Sequence, residues 1–167
     1  TLYHLAAKGW DDSILLERKS LTSGSTWHAA GLLPLFNMSY SVGQIHKYSV
    51  RFYQELQDET GMDVGFRKVS NIRLASTQDR MDEYLQYKGV ADTIGVEVNV
   101  LSPQEIKDCW PLVSTENLIG AIQHPEDGYI QPADLTQAFA KGARDKGAKI
   151  EINTCLLYTS PSPRDGI

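Results

Sequence analysis

Cysteine is scarce in this chain, and the scarcity limits the chemistry that the sequence supports. Only Cys109 and Cys155 occur among the 167 residues. Two isolated cysteines are too few for a disulfide framework or a thiolate metal cluster. The histidines and carboxylates also lack the spacing of a metal site or of a nucleophile triad, so we predict no metal ligands and assign no catalytic residue within the chain.

Long apolar runs and an excess of basic residues are lacking as well. No stretch approaches the roughly 18 apolar residues that a membrane span needs. Sixteen basic residues against twenty-one acidic ones give a net charge of -5, without the basic stripe that a phosphate backbone requires. These features predict a globular protein that binds neither a membrane nor a nucleic acid.

An initiating methionine is also absent. The first nine residues, which end in Gly9, are typical of the second half of a helix and its C-terminal stop. A chain of 167 residues is short for an enzyme with separate cofactor and substrate domains. We therefore expect an internal fragment of a longer protein, whose own N terminus precedes Thr1.

The last residues, 155–167, differ sharply in composition from the rest. The string from Cys155 to Asp165 resembles the translation of a transposase adapter used in sequencing libraries, so we expect a non-native tail. The alternative is a Ser/Pro-rich linker, which stays extended because it can bury little. Both interpretations exclude this segment from the fold, and the first leaves Cys109 as the only native cysteine.

Between these ends, the hydrophobic periodicity predicts alternating helices and strands. Residues 13–17 are typical of a buried parallel strand, and residues 66–75 of two strands in a hairpin or in a bent pair. The longest helix is expected at residues 39–61, with an inward face formed by Val42, Ile45, Ser49, Phe52, Tyr53 and Leu56. Other helices are predicted at residues 77–94, from Pro103, and at 133–146, and other strands at 96–100, 118–123 and 148–152. This order predicts an α/β fold, α+β overall.

Glu17 closes the first apolar run. In a doubly wound dinucleotide-binding fold, an acid at the end of the second strand accepts hydrogen bonds from an adenosine ribose. The alternative for Glu17 is a solvated strand end without a ligand. Because a helix precedes this strand, the region is expected to be a Rossmann-like βαβ unit that lacks its first strand.

The segment after Glu17 is rich in small and hydroxyl residues around Gly24 and Gly31. Such residues let backbone amides approach a pyrophosphate and begin a helix against its charge, although most segments of this composition are ordinary loops. Trp27 and His28 lie within it. The alternative role for Trp27 is that of a core aromatic residue, and the alternative for His28 is that of a surface or capping histidine.

Two other regions are interpreted as architecture. His124 and Asp127-Gly128 form a turn in which Gly128 is expected to supply a positive φ, and Pro132 is expected to begin the following helix. His4 and His46 lie within helical patterns and are expected to be packed or solvent-facing.

Two motifs are specific enough to indicate a family, namely Glu17-Arg18-Lys19 and Gly24-Ser25-Thr26-Trp27-His28-Ala29-Ala30-Gly31-Leu32. They closely resemble dimethylglycine dehydrogenases and their sarcosine-oxidising relatives among the D-amino-acid-oxidase-like flavoproteins. The resemblance extends over residues 1–154. It implies an FAD cofactor bonded covalently through an imidazole nitrogen of His28. The residues that it places at the cofactor are Glu17, Arg18, Gly24, Ser25, Thr26, Trp27, His28, Gly31 and Leu32.

The same resemblance implies a division into domains. Residues 1–36 would belong to a Rossmann-like FAD-binding domain, residues 37–124 to an inserted substrate domain with helices and antiparallel strands, and residues 125–154 to the return into the FAD-binding domain. The Gly-rich turn of this family would precede Thr1. We therefore expect that the isolated chain binds FAD weakly and is inactive.

As for function, the resemblance implies an FAD-dependent amine oxidoreductase that oxidises N-methyl amines such as dimethylglycine or sarcosine by hydride transfer to flavin. Tetrahydrofolate would be a second partner, bound by a C-terminal domain that is absent here. The alternative is a non-catalytic relative that serves as a binding module, like the regulatory subunit of pyruvate dehydrogenase phosphatase, and the intact Trp27-His28 pair argues against it. The compartment stays open between the bacterial cytoplasm and the mitochondrial matrix.

Overall fold

The computed structural model describes residues 1–156, and the chain clusters into two compact units. Most of the expected adapter tail, residues 157–167, lies outside the described residues. Within the described part, the first unit contains Thr1–Gly31, Tyr53–Gly65 and the residues from Ile130 onward, and the second contains Leu32–Phe52 and Phe66–Tyr129.

Helices and strands alternate along the described residues, which confirms the mixed α/β fold. In chain order the elements are α1 (Leu2–Ala6), β1 (Ile14–Leu16), a 3-10 turn (Ser25–His28), β2 (Leu32–Leu33), α2 (Tyr40–Thr60), β3 (Arg67–Lys68), β4 (Asn71–Ala75), α3 (Gln78–Ile94), β5 (Asn99–Leu101), α4 (Pro103–Cys109), β6 (Gly120–His124), β7 (Gly128–Tyr129), α5 (Pro132–Asp145) and β8 (Lys149–Glu151). None of the helices in this part of the chain is both long and apolar enough to span a membrane.

In the first unit, β1 and β8 form a parallel pair in which Leu15 lies opposite Ile150. The predicted parallel strand is therefore confirmed. The prediction that it is buried is wrong for Ile14 and Leu16, which are 51% and 38% exposed. Successive side chains of a strand point to opposite faces, and only the face that carries Leu15 is packed within this unit.

α1 packs against α5 through aromatic rings. The rings of Tyr3 and Phe139 meet edge to face, with centroids 5.7 Å apart. Gly142 allows the two helices to approach closely, because a Cβ at this position would lie 2.8 Å from the Tyr3 ring. Ala138 of α5 is fully buried.

The second unit contains two antiparallel sheets, with the strand orders β2-β7-β3 and β4-β6-β5. Residues 66–75 form two strands as predicted, but β3 pairs with β7 and β4 pairs with β6, so they are not a hairpin. The chain bends between them at Ser70, whose φ is +69°. The bent pair is thus the correct alternative.

The helices of the second unit begin where the sequence predicts. Thr77 caps α3 by accepting a hydrogen bond from the Arg80 amide at 3.3 Å. Ser102 and Glu105 form a reciprocal capping box at α4, directly before Pro103. The buried face of α3 packs into a hydrophobic core. This core includes Tyr87, Ala91 and Ile94 of α3 together with Val96, Val98, Ile122 and other apolar residues.

One predicted strand is displaced. The expected strand at residues 96–100 begins only at Asn99, and Val100 is 41% exposed. Val96 and Val98 are buried. The alternation of buried and exposed residues therefore begins before the hydrogen-bonded strand does. Periodicity alone does not distinguish residues buried ahead of a strand from residues within it.

The inward face predicted for α2 is wrong in its first half. Val42 and Ile45 are 37% and 62% exposed. Gly43 faces the core there, since a Cβ at Gly43 would lie 2.4 Å from the Ile94 side chain. In the second half of the helix, Leu56 is fully buried as predicted. A glycine contributes nothing to an apolar sequence pattern. The pattern therefore predicted the neighbouring face of α2 as the buried one.

Candidate functional site

Glu17 stands at the carboxyl end of β1, where a nucleotide is expected in this type of fold. The Glu17 amide donates to the Glu151 carbonyl at 2.8 Å, and the Glu17 carbonyl accepts from the Thr154 amide at 2.9 Å. Its carboxylate Oε1 accepts from the Lys19 amide at 2.9 Å. The second carboxylate oxygen makes no hydrogen bond to the described residues, so it is free to accept one from a ligand.

The loop after Glu17 is folded by its own hydrogen bonds. The Ser23 hydroxyl donates to the Ser20 carbonyl at 2.8 Å, and Thr22 adopts a left-handed conformation with a φ of +74°. The side chain of Arg18 is exposed. This loop presents backbone and hydroxyl groups rather than apolar side chains.

A 3-10 turn formed by Ser25–His28 follows Gly24. The expectation of a longer helix beginning here is wrong, because the chain is already extended at Ala29, where ψ is 134°. A four-residue turn has no helix dipole of consequence. Binding of a phosphate in this loop would therefore depend on individual backbone amides and on the Ser25 and Thr26 hydroxyls.

The side chains of Trp27 and His28 are both exposed, and Trp27 is 70% exposed. They contact each other: the Trp27 Nε1–H donates to His28 Nε2 at 2.9 Å, and the ring centroids are 5.2 Å apart. Within the described residues, Trp27 is therefore not part of the hydrophobic core. The pair is the most exposed aromatic surface of the loop.

Gly31 closes the loop at a point of very close backbone approach. Its φ is +74°, and its carbonyl accepts from the Ile130 amide at 2.8 Å. A Cβ on Gly31 would lie 2.1 Å from the Ile130 carbonyl oxygen. Both the conformation and the contact require glycine at this position.

Gly31→Ala is expected to destabilise the protein by about 2 kcal/mol or more, because the new methyl group needs both a strained φ and displacement of the Ile130 backbone. Gly24→Ala is the matched control, since a Cβ there meets nothing within 4 Å and φ is -96°. Urea unfolding followed by circular dichroism measures both effects. Equal losses of stability in the two variants would contradict this account.

Eight of the nine residues predicted at the cofactor lie in the first unit. Leu32 is the exception: it begins β2 in the second unit and is 69% exposed. Within the first unit, Glu17 and the 3-10 turn are connected by the loop of residues 18–24, and Gly31 follows shortly after His28.

Sequence reasoning missed a buried polar cluster in the second unit. Asp127 and His124 are 2% and 0% exposed. Oδ1 of Asp127 accepts from the Leu35 amide at 2.8 Å, and His124 Nε2 lies 3.1 Å from the Tyr87 hydroxyl. The Arg73 guanidinium lies over the Phe36 ring, 4.1 Å from its centroid.

Several polar atoms of this cluster make no hydrogen bond with the described residues, namely Ser70 Oγ, Arg73 Nε, His124 Nδ1 and Asp127 Oδ2. Burial raises the pKa of Asp127 to about 6, against the opposing effects of the Leu35 amide and Arg73. Burial, assisted by the Arg73 charge, lowers the pKa of His124 to about 4. Burial also raises the pKa of the Tyr87 hydroxyl to about 12. Burial therefore keeps the His124 imidazole neutral above about pH 4 and the Asp127 carboxyl protonated below about pH 6.

The predicted turn is present, since the His124 carbonyl accepts from the Asp127 amide at 3.3 Å. His124 also ends β6, and its side chain is buried in the cluster. The expected positive φ at Gly128 is wrong. Glycine is needed there because a Cβ would lie 2.3 Å from the Arg67 carbonyl oxygen. One available signal was Arg73, the single charged residue of β4.

The loop of the first unit fits an FAD molecule by its donor and acceptor set. A free carboxylate oxygen on Glu17 suits ribose hydroxyls, and the open space beside Gly24 admits a phosphate close to the backbone. The His28 imidazole is exposed, as a group that meets a ligand must be. No grouping of three or more potential metal ligands occurs among residues 1–156.

The parallel strand ending in Glu17 and the glycine-containing loop after it define a dinucleotide-binding class of protein. A family model described as FAD dependent oxidoreductase (DAO) matches residues 1–157. The chain therefore belongs to the DAO family of FAD-dependent oxidoreductases, and the resemblance read from the sequence is confirmed.

Several relatives are similar over nearly the whole chain. Mitochondrial dimethylglycine dehydrogenase of Rattus norvegicus is 37% identical over 96% of this chain and 19% of its own length. Mitochondrial sarcosine dehydrogenase of Homo sapiens is 38% identical over 93% of this chain and 17% of its own length. The mitochondrial regulatory subunit of pyruvate dehydrogenase phosphatase of Mus musculus is 33% identical over 93% and 18%. The chain spans less than a fifth of each of these relatives.

A solved structure shows the same fold. The crystal structure of L-proline dehydrogenase from P. horikoshii matches with a TM-score of 0.81 and 23% sequence identity, over 91% of this chain and 40% of that one. At this identity the likeness concerns the fold alone.

Proposed function

We propose that this chain is part of an FAD-dependent dehydrogenase that oxidises N-methyl amines such as dimethylglycine or sarcosine. The observation that carries the proposal is the exposed, hydrogen-bonded Trp27–His28 pair in the loop that follows Glu17. The identities of 37% and 38% to relatives named for these two substrates support the substrate class.

In this proposal the residues of the first unit hold the cofactor. Glu17 accepts hydrogen bonds from the ribose, and the backbone around Gly24 with the hydroxyls of Ser25 and Thr26 binds the pyrophosphate. His28 bonds covalently to the 8α carbon of the flavin, with Trp27 beside it. Arg18, Gly31 and Leu32 complete the set through their places in the same two sequence motifs.

Bound FAD would supply the redox chemistry by accepting a hydride from the N-methyl carbon of the amine. His28 has to be neutral to form its bond, since only an unprotonated ring nitrogen can attack carbon. The oxidised methyl group would be intercepted by water, or by tetrahydrofolate bound to another part of the protein. None of the described residues is assigned to the chemical step itself.

We also propose a division of the chain into domains. Residues 1–36 and 125–154 would belong to the FAD-binding domain, and residues 37–124 to the substrate domain. Residues 155–167 would be the adapter-derived tail.

The experiment that tests this function is anaerobic mixing of the full-length protein with dimethylglycine or sarcosine. Reduction of the flavin is expected to bleach its absorption near 450 nm, roughly the wavelength of oxidised flavin. Trimethylglycine is the matched control compound, because its quaternary nitrogen has no lone pair to support loss of hydride. Bleaching by neither amine would contradict the proposed activity.

A second candidate function is that of a non-catalytic binding module. The observation in its favour is the 33% identity to the regulatory subunit of pyruvate dehydrogenase phosphatase. In that case the protein would bind FAD or a phosphatase without any bleaching by methylated amines. The same anaerobic titration therefore separates the two functions.

A further inference from the structure

We propose that Tyr87 and Asp127 are positioning residues that form a clamp on the backbone of residues 34–37, the segment through which the chain leaves the candidate cofactor loop (residues 18–31). The inference rests on the proposed function, in which that loop binds FAD. It goes further by assigning a role to two buried side chains of the second unit, neither of which belongs to the loop.

Residues 34–37 lie between β2 and α2 and belong to no helix or strand. Leu35 is nevertheless only 5% exposed. A buried backbone outside regular secondary structure has to find hydrogen-bond partners among side chains, because an unpaired buried amide or carbonyl is costly. β2 gives the segment little support, since its ladder with β7 contains only two residue pairs.

Side chains supply these partners. The Leu35 amide donates to Oδ1 of Asp127 at 2.8 Å, and the Leu35 carbonyl accepts from the Tyr87 hydroxyl at 3.3 Å. The Pro34 carbonyl lies 3.1 Å from Nδ1 of His46, which has to be the donor because a carbonyl oxygen can only accept. Both backbone polar groups of Leu35 are thus held by side chains of the clamp.

Tyr87 contacts several residues of the segment. Its hydroxyl carries one proton, which the bond to the Leu35 carbonyl uses. Nε2 of His124, 3.1 Å away, therefore donates to the Tyr87 oxygen, and the backbone of Asn37 interacts with the same hydroxyl. The Tyr87 ring also packs on the Phe36 ring, with centroids 4.2 Å apart. One side chain thus contacts three consecutive residues.

Asp127 is itself fixed by its neighbours. Its carbonyl accepts from the amides of Val69 and Ser70 at 3.1 and 2.9 Å, and its amide donates to the His124 carbonyl at 3.3 Å. Asp127 directly precedes β7, so its bond to Leu35 extends the contact between β2 and β7 past the end of their short ladder. A rigidly placed acceptor therefore holds the Leu35 amide.

The composition of the cluster favours a positioning role over a purely stabilising one. Polar groups cost free energy in a core unless they are fully hydrogen-bonded, and apolar side chains of similar volume often pack as well or better. Asp127 Oδ2 and His124 Nδ1 make no hydrogen bond with the described residues. Apolar side chains cannot make directional bonds to a backbone, and that is what Asp127 and Tyr87 provide.

The position of the segment matters to the loop because few residues separate them. Gly31 closes the loop, and Pro34 follows three residues later. A fixed exit restricts the conformations that the loop can adopt, and a preorganised loop holds its ligand in one orientation. Displacement of reacting groups by about 1 Å can slow a reaction roughly a hundredfold. On the proposed function, the clamp therefore preorganises the loop for FAD.

Tyr87→Phe tests the clamp because it removes the hydroxyl and keeps the ring against Phe36. Tyr84→Phe is the matched control. Tyr84 lies on the same helix, is also buried and also donates its hydroxyl to a backbone carbonyl, but that carbonyl belongs to Leu74. The two variants should therefore lose similar stability, and they should differ at residues 34–37.

The first readout is hydrogen exchange of the full-length protein, with mass spectrometry of peptides that contain the amides of residues 35–37. Exchange there is expected to accelerate about fivefold in Tyr87→Phe, the factor that corresponds to loss of one ordinary hydrogen bond, and to stay unchanged in Tyr84→Phe. Asp127→Ala should also accelerate exchange. Asp127→Asn, which keeps an acceptor for the Leu35 amide, should exchange more slowly than Asp127→Ala.

The second readout is the visible circular dichroism of the bound flavin, together with the rate of its anaerobic reduction by dimethylglycine or sarcosine. Tyr87→Phe is expected to alter the dichroism and to slow reduction about fivefold, whereas Tyr84→Phe should change neither. Unchanged exchange at residues 35–37 in Tyr87→Phe would overturn the clamp, and faster exchange with an unaltered flavin would overturn its positioning role. A wild-type flavin that neither amine reduces would instead contradict the proposed activity, and the exchange and dichroism measurements would still decide the role of the clamp.

Discussion

Replacement of His28 by alanine is expected to abolish covalent attachment of the flavin. Wild-type protein precipitated with acid should retain a fluorescent flavin on the polypeptide, whereas His28→Ala should release all of it into the supernatant. The physical reason is that the imidazole supplies the only proposed bond to the cofactor, and a methyl group has no nucleophilic atom. In-gel fluorescence together with the supernatant absorption near 450 nm, roughly that of free flavin, gives the measurement.

His4→Ala provides the control for this experiment. His4 is the other exposed histidine of the first unit, and it lies outside the loop. The control should keep its flavin after acid treatment. Acid-stable flavin on His28→Ala would assign the bond to another residue, and release of flavin from the wild type would show that the cofactor is held without a covalent bond.

The second large effect concerns the buried cluster of Asp127 and His124. The pKa of Asp127 is raised in the folded protein, from an ordinary value of 3.8 to about 6. Its favourable contribution to stability is therefore complete below pH 3.8 and is lost as the pH rises through about 6. The pKa of His124 is lowered from 6.5 to about 4, so its contribution is complete above pH 6.5 and is lost as the pH falls through about 4.

Between pH 4 and 6.5, the two residues therefore oppose each other. Asp127→Asn keeps an acceptor for the Leu35 amide and removes the charge. Relative to the wild type, its stability is expected to rise by up to about 3 kcal/mol across this interval. His124→Gln keeps a partner for Tyr87, and its stability relative to the wild type should fall by a similar amount.

Urea unfolding at a series of pH values, followed by circular dichroism, measures these differences. Each variant is compared with the wild type at the same pH, so that the titration of surface groups cancels. Opposite slopes for the two variants are the expected result. Stability differences that do not change with pH would show that burial shifts the pKa of neither residue.

Local signals predicted much of this fold. Thr77 and the Ser102-Pro103 pair mark the starts of α3 and α4, because capping depends on residues that are close in sequence. The parallel character of β1 also followed from a short apolar run after a helix. The inward face of the first half of α2 was not predictable, because Gly43 packs against Ile94 without an apolar side chain of its own.

The loop residues were found from sequence because their types and spacing are unusual. The arrangement of Trp27 and His28 was not, since their hydrogen bond depends on a 3-10 turn where a longer helix was expected. Asp127 was interpreted as part of a turn, and its burial became evident only with the fold. Whether Glu17 and the loop bind FAD as proposed stays a prediction.

The sequence by itself determined the family, the positions of the capped helices and the identity of the residues in the candidate cofactor loop. Each of these depends on neighbouring residues whose chemistry is fixed by their side chains. Tertiary structure alone decided which side of α2 is buried and which polar side chains are buried away from solvent. The buried cluster draws on separate parts of the chain, at Arg73 in β4, Tyr87 in α3, His124 in β6 and Asp127 in the connection that follows β6. Their protonation depends on burial, a property that arises only when distant parts of the chain pack together.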